Sequence, residues 1–341
     1  MKKFIGFVSV LATVGLLAGC GSRDAPLSAQ AADTISEAAK ETEEVTEAAT
    51  EESSEVIETV EKAAVTFTDA LGRELTVESP KRVVTLLGSF CDEWLLAGGT
   101  VVGSASDTFT NYDFGFDETV VDVGSTHEPD VEKILSTEPD FVIASAKLDA
   151  QVELLDTFEQ AGITVAYLDV DDFNDYLETL DVFTQITGAP ENYEKYGTKV
   201  GEEIEEAKKR IDGRKPTVLF IRAAASSVKV KGSSGIVGGE ILADLDTINI
   251  ADSESLLEDL SMEAIIAADP DYIFVTTQGS DLEAAIANVE EIMISNPAWQ
   301  SLKAVQEDHY YVIDKLLYNS KPNARWGEAY LKLAEVLYPE E

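Results

Sequence analysis

Apolar residues run without a charged interruption from Phe4 to Gly19, then thin out, and from residue 64 alternate with polar ones at strand and helix periods. "VTFTDALGRELTVE" predicts a hairpin with Gly72 near its turn. "RVVTLLG" (82–88), "VVGSA", "DFVIAS" (140–145) and "TVAYLDV" (164–170) predict strands, with helices over "CDEWLLAGG" and around 149–161. The second half repeats the style. Strands are predicted at "TVLFIR" (217–222), "DYIFVTT" (271–277) and "YYVID" (310–314), with helices from about 238, near 281–294 and near 323–338. Between the halves, Pro190 opens and Gly213 and Pro216 close one helix of about 20 residues, roughly 30 Å long. Strands alternating with helices indicate parallel α/β units. The expected fold is therefore α/β in two lobes, each a mainly parallel sheet flanked by helices. The N-terminal lobe spans 64–189, the connecting helix 190–212 and the C-terminal lobe 213–341.

The first residues, "MKKFIGFVSVLATVGLLAGC", have a basic start, an apolar middle and small residues before Cys20. The run is short for a membrane span, which needs about 20 apolar residues. Leu17-Ala18-Gly19-Cys20 resembles the lipobox of bacterial lipoproteins, in which cleavage precedes a cysteine that receives diacylglycerol. Residues 1–20 are thus read as a lipoprotein signal. Two acyl chains anchor a protein stably where one binds only marginally. Residues 21–63 carry Ala, Glu, Thr and Ser with no aromatic residue. Such a segment buries too little apolar area to offset chain entropy, so an acidic, disordered tether is expected.

The formal net charge of −40 argues against nucleic acid or an anionic bilayer as a binding surface. With Cys20 lipidated, Cys91 has no partner for an intrachain disulfide and reads as a small buried residue.

Two stretches repeat one pattern: "VEKILSTEPDFVIAS" (131–145) and "MEAIIAADPDYIFVT" (262–276). Asp130 and Ser261 stand at the N-cap position. Val131, Ile134 and Leu135 share one helical face, as do Met262, Ile265 and Ile266, and Pro139 and Pro270 end each helix. Glu132 and Glu263 fall away from the apolar stripe, one exposed carboxylate on each lobe. Acidic residues also simply suit a helix N-terminus, but a matched pair offers a two-fold partner two points of grip.

The chain resembles the substrate-binding lipoproteins of bacterial ABC importers, in the siderophore, haem and cobalamin class. The resemblance rests on the lipobox, "DALGRELTVESPKRVVTL", "GSTHEPDVEKILSTEPDFVIA", "SMEAIIAADPDYIFV", "NPAWQSLKAVQEDHYYVID" and "NARWGEAYLKLAEVLYP", in that order over residues 64–339. It implies a periplasmic-binding-protein-like fold of the helical-backbone class, with limited closure on ligand. It also implies a permease dimer that docks through Glu132 and Glu263. The protein is expected to act as a monomer at the outer face of the cell membrane. No cofactor is expected to be bound permanently; the transported ligand is an Fe(III)-siderophore, with haem or a corrinoid as the alternative.

In open α/β sheets ligands sit beyond the carboxyl ends of the strands. That rule selects Phe90, Trp94, His127, Lys147, Arg222, Lys229, Tyr318 and Arg325 as ligand-binding candidates, with Ser89, Asp107, Phe109, Lys231, Lys315 and Lys321 beside them. Cations at strand ends of so acidic a chain suit an anionic chelate. His127 is the candidate axial ligand to haem iron; no other direct metal ligand is expected. His309 lies in a turn away from the cleft. Two histidines are too few for a dedicated zinc or manganese site. No nucleophile elbow, phosphate loop or catalytic triad is present, so an enzyme is not expected. An adhesive lipoprotein would need neither a cleft nor paired docking carboxylates.

Overall fold

β1 (Val65–Thr68) and β2 (Glu74–Val77) form the expected antiparallel hairpin, Val65 opposite Val77. Gly72 supplies the positive φ of its turn (+76°). Asp69 accepts the N–H groups of Leu71 and Arg73 at 3.0 Å, and Arg73 donates onward to the Val165 carbonyl at 2.8 Å, fastening the hairpin to the first lobe. The computed structural model describes residues 64–252, 262–279 and 281–340. The signal segment with Cys20, the 21–63 stretch and the Ser261 cap position lie outside the described residues.

The first lobe holds β3 (Val83–Thr85), β4 (Gly103–Ser104), β5 (Val121–Asp122), the short hairpin β6 (Gly124–Ser125) and β7 (Glu128–Pro129), β8 (Phe141–Ser145) and β9 (Thr164–Leu168). Its main sheet is ordered β5-β4-β3-β8-β9 and is parallel throughout. The second lobe holds β10 (Thr217–Ala224), β11 (Ser227–Lys231), β12 (Ile248–Asn249), β13 (Tyr272–Thr277) and β14 (Tyr310–Val312). Its order is β11-β10-β13-β14 with β12 also on β10, and only β11 is antiparallel. Two separate, mainly parallel sheets are therefore present, as the strand and helix pattern predicts.

The connecting segment differs in detail from one uniform helix over 190–212. It runs as an α-helix Pro190–Tyr193, a π turn Glu194–Thr198 and an α-helix Lys199–Lys208. At the π turn Gly197 lets Leu177 approach, where an added Cβ would come within 2.9 Å of the Leu177 side chain. The helix closes four residues early because Lys209 and Arg210 donate to Glu206 and Ala207, tightening the last turn. Val200, Ile204 and Ala207 form its buried face, and the C-terminal helix Trp326–Leu337 packs along it. All described residues belong to one contact unit. A single apolar cluster joins Phe90, Trp94, Phe141 and Phe183 of the first lobe with Val218, Phe220, Phe274 and Trp326 of the second. A shared core of this kind resists large rotation of one lobe on the other.

The repeated stretch folds alike in both lobes. Helices Val131–Ser136 and Met262–Ala268 each bury one isoleucine fully, Ile134 and Ile265. Leu135, expected on the buried face, is 37 % exposed, because the six-residue helix meets the lobe along a single line of contact. The Asp130 carboxylate caps its helix by accepting from the Lys133 N–H at 3.1 Å. Glu138 and Asp269, each just before proline, both take positive φ (+48° and +40°).

Candidate functional site

The loops after β3, β4, β6, β8, β13 and β14 converge on a groove between the lobes with a volume of about 420 Å³. All but β6, which belongs to a separate antiparallel hairpin, are parallel strands of the two main sheets presenting their carboxyl ends, the position expected for ligands of open parallel sheets. Gln151 braces the groove loops from inside the first lobe. Fully buried, it donates to the Leu86 and Thr126 carbonyls at 2.8 and 2.9 Å and accepts the Ser145 N–H at 2.8 Å, tying three groove loops together. Asp107 fixes a fourth by accepting the Gly88 N–H at 3.0 Å; burial raises its carboxyl above the usual range. Thr85, Ser104 and Thr108 form a buried hydroxyl chain at 2.6 Å under the same wall.

Three lysines reach the groove. Lys147 pairs with Asp169 at 3.0 Å and with Asp171. Burial lowers its ammonium, but the two aspartates outweigh burial and hold it above the ordinary value. Lys315 donates to Asn111 at 2.8 Å and to the Gly279 carbonyl at 3.0 Å, so it bridges the lobes. Lys321 lies over the Phe90 ring, 5.3 Å from its centroid, and burial lowers its ammonium. Neither Lys315 nor Lys321 has an ion pair among the described residues.

A second basic face lies on the β10–β11 hairpin. Arg222 on β10 sits opposite Lys229 on β11, with Lys231 two residues further along the same strand. Burial lowers Arg222; burial and then the charges of Arg222, Lys229 and Lys147 lower Lys231. Lys147, whose charge acts on Lys231, belongs to the other lobe. No carboxylate pairs with Arg222, Lys229 or Lys231 among the described residues.

The structure thus brings His127 and Lys147 to the groove, with Ser89, Asp107, Lys315 and Lys321. His127 is exposed on the β6–β7 turn. Six candidates need correction. Phe90 and Trp94 are core side chains, 0 % and 2 % exposed: their helix, Gly88–Leu96, is buried on several faces, and Trp94 meets Phe183 edge-on at 5.1 Å. Tyr318 is also core, its hydroxyl donating to the Ala329 carbonyl at 3.1 Å. Arg325 lies outside the groove lining and is taken by Glu328 at 2.7 Å, with Asp314 at 3.9 Å. Arg222 and Lys229, paired on the β10–β11 hairpin, are not among the residues that line the groove. Phe109 is 38 % exposed beside Phe116, away from the lining. Cys91 is fully buried, and burial pushes its thiol up to about 11, which leaves it unreactive. His309 stacks on Tyr272 at the opposite ends of the second lobe's strands, 4.5 Å between ring centres.

Two groups that hold the site had no local signal. Gln151 reads as an ordinary helix residue. Asn323 donates to the Ser89 carbonyl at 2.7 Å and to Asp92 at 2.8 Å, joining the C-terminal segment to the first lobe. Its positive φ (+53°) suits asparagine. Among the described residues no group of three or more His, Cys, Asp or Glu side chains is placed to hold a metal ion. Glu132 and Glu263 are both exposed at their helix starts.

Residues 84–317 match the family described as periplasmic binding protein. The Fe(3+)-citrate-binding protein YfmC of Bacillus subtilis (strain 168) is 28 % identical over 260 residues, covering 72 % of this chain and 77 % of that one. Among solved structures, the triscatecholate siderophore binding protein FeuA of Bacillus subtilis, complexed with ferri-bacillibactin, has a TM-score of 0.65 at 24 % identity, over 80 % of this chain and 98 % of that one. The periplasmic heme-binding protein RhuT of Roseiflexus sp. RS-1 has a TM-score of 0.63 at 24 % identity, over 76 % and 98 %. These two likenesses establish the shared fold.

Proposed function

Since the chain belongs to the periplasmic binding protein family, we propose that it captures an anionic iron chelate, a ferric siderophore, outside the membrane and delivers it to an ABC permease. It is a substrate-binding protein of transport and not an enzyme. One observation carries the choice of ligand. In a chain of net charge −40, Lys315 and Lys321 line the groove without an ion pair among the described residues. Carboxylates are abundant enough to neutralise them, so their unpaired state suits an anion supplied from outside.

The remaining assignments follow from that reading. Residues 1–20 direct export and place a lipid on Cys20, 21–63 act as tether, and the two lobes over 64–189 and 213–341 are joined by the 190–212 segment. Glu132 and Glu263 dock the permease, one per lobe, so that capture and hand-over use different surfaces. The receptor acts as a monomer. Haem is the second reading, favoured by the exposed His127 imidazole on the groove wall; a Soret band lost in His127→Ala would support it.

The test is uptake of radiolabelled iron, supplied as a panel of ferric siderophores, by cells lacking the chain. Uptake of at least one complex should fall and return when the chain is restored. Unchanged uptake of every complex would contradict the proposal.

A further inference from the structure

Resting on the reading of residues 21–63 as a tether, we infer that the basic face of the β10–β11 hairpin is a docking surface for this chain's own acidic stretch Glu41–Glu58. The hairpin has two unlike faces. Ile221 and Ala223 of β10, with Val228 and Val230 of β11, pack on the second lobe's apolar cluster. The alternate positions place Arg222, Lys229 and Lys231 together on the other face. β11 ends the sheet, and Lys229 is exposed. Arg222 stands directly opposite Lys229, and like charges so placed destabilise a strand pair. No carboxylate among the described residues pairs with any of the three, in a chain of 65 acidic and 25 basic residues. The arrangement is unfavourable by itself, and a polyanion relieves it.

The tether supplies one. Residues 37–61 hold ten glutamates against a single lysine, Lys40. Glu41, Glu44, Glu47, Glu51, Glu55 and Glu58 recur every three or four residues, the spacing of one helical face. Neighbouring side chains on such a face stand about 5–6 Å apart. Positions such as Lys229 and Lys231 are about 7 Å apart along a strand, and a cross-strand pair such as Arg222 and Lys229 about 5 Å. The two charge patterns therefore match when the stretch folds as a helix on contact, the behaviour of an acidic segment too polar to form its own core. Reach is sufficient: the sixteen residues between Glu47 and Ala64 extend to about 50 Å, the width of a domain of this size. Docking closes the basic face to other polyanions and shortens the span between anchor and domain.

The experiment treats the full-length protein, purified in detergent as an equal mixture of isotope-labelled and unlabelled chains, with a carbodiimide, which joins an amine to a carboxylate in direct contact. Digestion and mass spectrometry then locate the links. Links from Lys229 or Lys231 to glutamates between 41 and 58 of the same chain are expected. They should fall at least fivefold at 1 M salt, where charges are screened beyond about 3 Å. Arg222→Gln, which removes no group that the reagent uses, should reduce them at least threefold. Absence of these links, or yields no higher than those from the exposed Lys81 and Lys195, would overturn the inference. So would links confined to Glu254, Glu258 and Asp259 of the stretch after Asp252, or links that join labelled to unlabelled chains. The wild-type links decide the matter even if Arg222→Gln fails to fold. None of these outcomes bears on the ferric complex or on the anchor at Cys20, which uptake and phase separation test separately.

Discussion

Asp271 does for the second lobe what Asp140 does for the first. Asp140 accepts the N–H groups of Lys81 and Arg82 at 2.8 and 2.9 Å and returns its own N–H to the Arg82 carbonyl at 3.0 Å. Asp271 accepts the Thr217 N–H at 2.9 Å and returns its N–H to the Thr217 carbonyl at 2.9 Å. Each aspartate thus clamps the entry of the neighbouring central strand. The repeated Pro-Asp is a structural device of both lobes, separate from the glutamate near the start of each copy. Asp140→Ala and Asp271→Ala should each lower stability in urea by about 1–3 kcal/mol, the scale of a lost bond to a charged group.

Asp271 adds a pH dependence. Burial raises its carboxyl, but the Lys303 ammonium and the Thr217 donors outweigh burial and hold it below the usual range. A depressed carboxyl contributes stability that is complete above the unfolded value, about 3.9, and is lost as pH falls through the folded value. Urea denaturation from pH 6 downward should show a steeper loss below about pH 4 in the wild type than in Asp271→Ala. Parallel curves would remove Asp271 from the account of acid stability.

Glu93 acts in the opposite direction. It is fully buried, and neither carboxylate oxygen has a hydrogen-bond partner among the described residues. Burial first, then the charge of Asp92, raises it well above the ordinary value, and Lys321 opposes this. A raised carboxyl contributes stability that is complete below the unfolded value, about 4.3, and is lost as pH rises through the folded one. Stability should therefore fall with rising pH above that point, by at most about 1.4 kcal/mol per pH unit for one proton. Glu93→Gln should flatten this slope in denaturation series at successive pH values. An unchanged slope would show that Glu93 does not titrate there.

The strands and the duplication were legible because both are local. β8 and β13 are continuous apolar runs, and the two Pro-Asp steps stand at matching places in sequence. The groove was legible only as a location. Which side chains enter it depends on helix rotation and distant partners, and neither leaves a local trace. Phe90 and Trp94 follow a strand end as a ligand platform would, but the Gly88–Leu96 helix turns both into the core. Gln151 contacts Leu86 and Thr126 from 65 and 25 residues away, and Asn323 contacts Ser89 across 234. No window of sequence contains those pairs.

The proposed lipid anchor rests on Cys20 alone. Cys20→Ala should move the protein from the detergent phase to the aqueous phase in a phase-separation experiment on expressing cells. Two acyl chains give the stable anchoring that the wild type should display. A wild-type protein found in the aqueous phase would exclude the anchor.

The central claim is that capture and hand-over use separate surfaces of one molecule. It is tested most directly by the variant Glu132→Ala plus Glu263→Ala, measured for ferric chelate affinity and for iron uptake in the same cells. The account predicts affinity within twofold of wild type and uptake reduced at least tenfold. Weakened binding with normal uptake would contradict it.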